Sequence, residues 1–124
     1  MRTTTTCLKL GHPWSPESLS ALDSDQTLLL LFGASNLLDT PNRIEKVLKA
    51  CPRSHVMGCS TSGEIHGNEI SDNSLVVAAV QFEQTLLRTA EASVPSPQTS
   101  YTAGCAIAQQ LKQPSLRGVL VLSD

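Results

Sequence analysis

Thr27-Leu28-Leu29-Leu30-Leu31-Phe32, followed by Gly33, is the stretch that decides the fold class. Apolar residues here are continuous rather than alternating. A strand with one wet face alternates, whereas unbroken hydrophobicity marks a strand covered on both faces. The run is too short for a buried helix. It therefore predicts a strand inside a sheet with helices on either side.

Working outward, the chain alternates strand and helix signals. After Gly33, Thr40 and Pro41 read as the cap and first position of a helix over 41–51, because proline at that position gives up an N–H that would have no partner anyway. Ile44, Val47, Leu48 and Cys51 fall on one stripe of that helix. Glu45 and Lys49 are four apart in the favourable order on its wet side. Pro52 ends it, and a second short strand follows at about 55–59. Residues 60–73 lack apolar periodicity and read as a long loop. Residues 74–82 (Ser-Leu-Val-Val-Ala-Ala-Val-Gln-Phe) carry the clearest strand signal, and the three residues Glu83 to Thr85 separate them from an alternating stretch at 86–94. That gap predicts an antiparallel hairpin. A helix over 100–112 places Ala103, Ile107 and Leu111 on one face, with Gly104 suggesting close packing. Gly118-Val-Leu-Val-Leu122 reads as a last buried strand.

Before the decisive run, residues 1–26 read as an N-terminal extension. Thr4, Thr6, Leu8 and Leu10 can line one face of a short edge strand, and Gly-His-Pro-Trp-Ser-Pro makes a loop. The expected architecture is α/β: a mixed, mostly parallel sheet with helices packed on it and one antiparallel hairpin. A strand such as 118–122 normally delivers the chain to a covering helix, so the sequence reads as an incomplete domain.

Composition excludes several functions. The 124 residues carry 9 basic and 11 acidic side chains, a net charge of −2, which gives no broad attraction to nucleic acid. Apolar content of 40% with seven glycines and seven prolines excludes collagen-like and disordered chains. No apolar run approaches the ~20 residues of a membrane-spanning helix. Thr3 to Thr6 occupy the place of a signal-peptide core, so a cytoplasmic location is expected. Cys7, Cys51, Cys59 and Cys105 are too far apart for a CxxC pair. Cys7, Cys51 and Cys105 read as buried small hydrophobes.

One segment carries chemistry. Met57-Gly58-Cys59-Ser60-Thr61-Ser62-Gly63-Glu64-Ile65 leaves a strand and enters the long loop, and ligands of α/β sheets collect at the carboxyl ends of strands. Gly58 and Gly63 allow unusual backbone angles or close approach, and the small polar residues between them can wrap a polar group with backbone N–H donors. A phosphate-binding P-loop fails, because Glu64 stands where lysine is needed. A Gly-x-Ser-x-Gly nucleophile elbow fails at Ser62. A structural turn whose hydroxyls cap local backbone is the plainer alternative.

The same nine residues resemble the signature of the FIST domain, a sensory module of signal-transduction proteins. The surrounding order is similar too: an apolar strand with Asn36-Leu37 after it, a helix, the motif, a Gly/Asn/Asp segment, the strand Leu75 to Phe82, and Leu122-Ser123-Asp124. The resemblance covers roughly residues 27–124 and implies the first part of an N-terminal FIST domain, whose family has a further region. It implies a small ligand, such as an amino acid or a derivative, and a signalling output domain or protein as partner. Some members are described as haem-binding nitric-oxide sensors.

Three readings follow. The first is a non-enzymatic ligand-binding sensor without a cofactor, its site formed by Gly58, Cys59, Ser60, Thr61, Ser62, Gly63 and Glu64; Glu64 would meet a ligand ammonium and the hydroxyls and N–H groups a carboxylate. The second is a haem sensor with His66 or His55 as axial ligand, His12 lying outside the resemblance. The third is a hydrolase or transferase with Cys59 as nucleophile and His55 or His66 as base.

Overall fold

A computed structural model describes residues 1–9, 11–36 and 42–123. The expected Thr40 cap and Pro41 lie outside the described residues. The chain divides into two compact units, Met1–Leu87 with the residues from Leu122 on, and Arg88–Val121.

The first unit is built around a four-stranded sheet. Strands β1 (Arg2–Lys9), β2 (Thr27–Ala34), β3 (His55–Thr61) and β6 (Ser74–Gln81) lie in the order β1-β6-β2-β3. Short helices α1 (Glu17–Ser20) and α2 (Asn42–Ala50) connect the early strands, and a two-stranded hairpin, β4 (Glu64–His66) with β5 (Glu69–Ser71), joins β3 to β6.

The class is α/β, but the sheet is mostly antiparallel. Only β2 and β3 run parallel, while β6 is antiparallel to both β1 and β2. A parallel return needs a crossover of a dozen or more residues, usually a helix. Here α2 makes that crossover between β2 and β3. The residues after β3 instead form the β4–β5 hairpin, which brings β6 back in the opposite sense.

The expected hairpin between 74–82 and 86–94 does not form. Strand β6 is central, with β1 on one side and β2 on the other, so neither of its edges is free for a strand that follows. Residues 86–94 carry no strand, and Leu86 and Val94 are exposed. Gly118–Leu122 likewise pairs with no strand among the described residues; Val119, Leu120 and Val121 are exposed. A strand is fixed by its ladder partner, and a suitable hydrophobic pattern does not supply one.

The N-terminal segment supplies an edge strand, as its alternation suggests, with every residue of β1 in register against β6 from Arg2 opposite Gln81 to Lys9 opposite Ser74.

One face of the sheet holds the core. Burial alternates strictly along β2, with Thr27, Leu29, Leu31 and Gly33 buried and Leu28, Leu30, Phe32 and Ala34 half-buried. Continuous hydrophobicity thus overstates the covering of the second face. Leu19 and Leu22 near α1 and Val47 and Cys51 of the α2 region pack with Leu29, Leu31, Val77 and Ala79 in one cluster. The α2 stripe is right for Val47, Cys51 and Ile44, but Leu48 lies at its margin and is exposed.

Asp23 ties the loops beneath this core. It accepts from the Ser54 hydroxyl at 2.7 Å, the Arg53 N–H at 3.1 Å and the Arg53 guanidinium at 3.4 Å. Burial opposes its charge, yet these donors together hold the carboxyl below its ordinary value.

The second unit contains helix α3 (Ser100–Leu111), entered through a single 3-10 turn at Pro97–Thr99 in which Ser96 and Thr99 cap each other. Ala103 is buried and Ile107 and Leu111 are half-buried, in line with the expected face. Gly104 is exposed with open space around its Cα, so close packing does not explain it.

Candidate functional site

The motif does not leave the sheet at Cys59. Strand β3 continues through Ser60 and Thr61, which pair with Gly33 and Ala34 of β2. Backbone N–H groups of a strand point alternately to its two sides. Those of Cys59 to Thr61 therefore do not converge as a nest.

Gly58 faces Leu31 across the β2–β3 ladder. A side chain there would lie 2.9 Å from the Leu31 Cβ and press against the Leu31 carbonyl oxygen. Close backbone approach, not an unusual angle, requires glycine at this position. Gly63 is under no such constraint, since an added Cβ would meet Asp72 Oδ1 at an ordinary 3.5 Å.

The expected loop at 60–73 contains the β4–β5 hairpin. Glu64 pairs with Ser71, Ile65 with Ile70 and His66 with Glu69, around a two-residue turn at Gly67-Asn68. Gly67 has φ +63°, the left-handed conformation that such tight turns favour. The Gly-Asn pair between short polar strands was the available signal; three-residue strands carry too little periodicity to reinforce it.

Glu64 fastens this hairpin to the sheet. It is 2% exposed. One carboxylate oxygen accepts from the Thr61 hydroxyl at 2.7 Å, and the other from the Ser74 hydroxyl at 2.7 Å and the Ser74 N–H at 3.1 Å. Burial works against its charge, but the hydroxyls of Thr61 and Ser74 and the Ser74 N–H outweigh it and hold the carboxyl below its ordinary value. The side chain thus joins the end of β3 to the start of β6.

A cavity of about 330 Å³ opens beside these residues, along β3 and the carboxyl-terminal half of its parallel neighbour β2. Leu31, Ile44, Val56 and Leu75 contribute apolar walls from β2, α2, β3 and β6. Of the seven motif residues singled out from sequence, Gly58, Cys59 and Ser60 border it. Thr61, Ser62, Gly63 and Glu64 do not, although Thr61 and Ser74, which hold Glu64, directly neighbour Ser60 and Leu75 in the chain. Sequence reading missed Ile44, Val56 and Leu75, whose apolar side chains look like ordinary core.

The histidines stand elsewhere. His55 starts β3 and His66 ends β4, both half-buried, and neither borders the cavity. A haem placed there would lack a histidine ligand. Cys59 is exposed and makes no hydrogen bond with either histidine among the described residues. Among the described residues no group of three His, Cys, Asp or Glu side chains is arranged to hold a metal ion, and no helix is long and apolar enough to cross a membrane.

Searches of curated proteins and of solved structures find no significant match. The sequence profile of the FIST N domain, by contrast, matches residues 27–124. That span takes in β2 through α3, with the motif strand and every residue bordering the cavity. The chain therefore belongs to the FIST N domain family, a family of sensory domains in signalling proteins.

Proposed function

We propose that this chain is a small-ligand-binding sensory domain, without catalytic activity, whose ligand occupies the cavity beside β2 and β3. The observation that carries this reading is the position of the family motif: Gly58, Cys59 and Ser60 form one wall of that cavity. Ligand pockets of this size are commonly apolar with a few polar groups. Gly58 lets β3 lie close against β2, while Cys59 and Ser60 offer a thiol and a hydroxyl. Thr61 and Glu64 brace that wall, Glu64 tying its end to Ser74 at the start of β6, and Ser62 and Gly63 join the two in the chain.

The wall elements differ in how they are fixed. β2 and β6 are central strands, whereas β3 is an edge and α2 contributes Ile44 from outside the sheet. A ligand that touches Ile44 and β3 together favours one placement of α2 and β3 over others. That differential affinity shifts a population which an output domain or protein reads. Four free cysteines suit a cytoplasmic setting.

A thermal-denaturation screen against amino acids, amino-acid derivatives and small neutral metabolites tests this reading. A ligand at a hundred times its Kd adds about 2.7 kcal/mol, a rise of several degrees in Tm. Ser60→Phe, which crowds the wall, abolishes the rise. No stabilising compound, or stabilisation that persists in Ser60→Phe, refutes it.

A further inference from the structure

We infer that the cavity takes an uncharged ligand with a compact apolar body and at most one polar end, an inference that rests on the ligand-sensing reading above. The walls decide the charge. Leu31, Ile44, Val56, Met57 and Leu75 present hydrocarbon or thioether, and Gly33, Ala34 and Gly58 add little beyond backbone. Among the described residues, no Asp, Glu, Lys, Arg or His borders the space.

Two charged groups close to the walls in sequence are engaged elsewhere. Glu64 gives both oxygens to Thr61 and Ser74. Arg43, beside Ile44, donates to the Leu8 carbonyl oxygen at 3.3 Å. A zwitterionic amino acid seated against these walls finds no countercharge on a described lining residue for its ammonium or its carboxylate, and an unpaired ion gains nothing from apolar surroundings. Any polar end is served by Ser60, which is exposed and whose hydroxyl makes no hydrogen bond among the described residues.

Volume sets the size. An apolar cavity of about 150 Å³ accommodates benzene. The 330 Å³ here is roughly twice that. The matching body is a fused two-ring system or a branched chain of similar bulk.

Indole and tryptophan separate the possibilities, because tryptophan adds an ammonium and a carboxylate to the same ring. The chain is labelled at its Leu, Ile and Val methyl groups and titrated with each compound by NMR. Indole is expected to shift the methyls of Leu31, Ile44, Val56 and Leu75 saturably, with tryptophan at least ~100-fold weaker. Val56→Phe fills the space from β3 and removes the indole shifts; Ile44→Phe fills it from α2, so misfolding of one variant leaves the other to decide. Tryptophan binding as well as indole overturns the ligand class while leaving the sensor reading intact. If neither compound moves these methyls the inference is overturned, and the sensor reading then stands or falls on the separate thermal screen.

Discussion

Removing the Glu64 carboxylate tests the link between the motif and the sheet. In Glu64→Ala, three donors lose their acceptor: the Thr61 hydroxyl, the Ser74 hydroxyl and the Ser74 N–H. Thr61 is half-buried, so water can reach it and its loss costs little. Ser74 is fully buried at 0% exposure, and its N–H cannot turn away. A buried donor without a partner costs about 1–3 kcal/mol, and the buried hydroxyl adds to it, giving about 3 kcal/mol in all. Urea unfolding at pH 7, followed by circular dichroism, should show a midpoint about 2 M below wild type for a slope of about 1.5 kcal/mol per M. Glu64→Gln should cost only about 1 kcal/mol, because its amide nitrogen can face the rotatable Thr61 hydroxyl while its oxygen keeps both Ser74 donors. The acid limb gives a second check. The Glu64 carboxyl is held below its ordinary value in the fold. Its ionic contribution is therefore complete above the unfolded value of about 4.3 and lost as pH falls through the lower folded value. The gap between wild type and Glu64→Ala should narrow on acidification. A midpoint within about 0.3 M of wild type at pH 7, or a gap unchanged down to pH 3, refutes the fastening role.

Gly58→Ala should destabilise by about 2 kcal/mol, since the new methyl meets the Leu31 backbone rather than a side chain that can swing away; a urea midpoint equal to wild type would show that β3 shifts freely. Asp23→Ala should cost about 2 kcal/mol at pH 7 through the Arg53 and Ser54 donors. Its carboxyl is also held low, so this loss is present above about pH 3.9 and fades below it, as an acid titration of the urea midpoint would report. Iodoacetamide should label exposed Cys59 and Cys105 well before Cys51, which is 2% exposed and whose thiol is pushed up by burial and by Asp23. Peptide mass spectrometry at successive times gives the order, and early labelling of Cys51 would contradict the packing around α2.

Much of this protein was written locally. The apolar run at Leu28 to Phe32, the run at Leu75 to Val80 and the stripe Ile44, Val47 and Cys51 name two central strands and a helix, because burial of a face depends on spacing within a few residues. The motif at Met57 to Ile65 named the family from residue identity and order alone. Partner choice was not local. Whether residues 86–94 could pair with β6 depended on which edges β1 and β2 had left free, and those strands lie far away in sequence. Strand direction turned on residues 62–73 folding back as a hairpin instead of crossing the sheet. Glu64 reads in sequence as a charge offered to a ligand. Only the tertiary structure brings Ser74 to it from ten residues on and turns that charge inward, because a buried carboxylate is stable only where donors from separate elements converge on it.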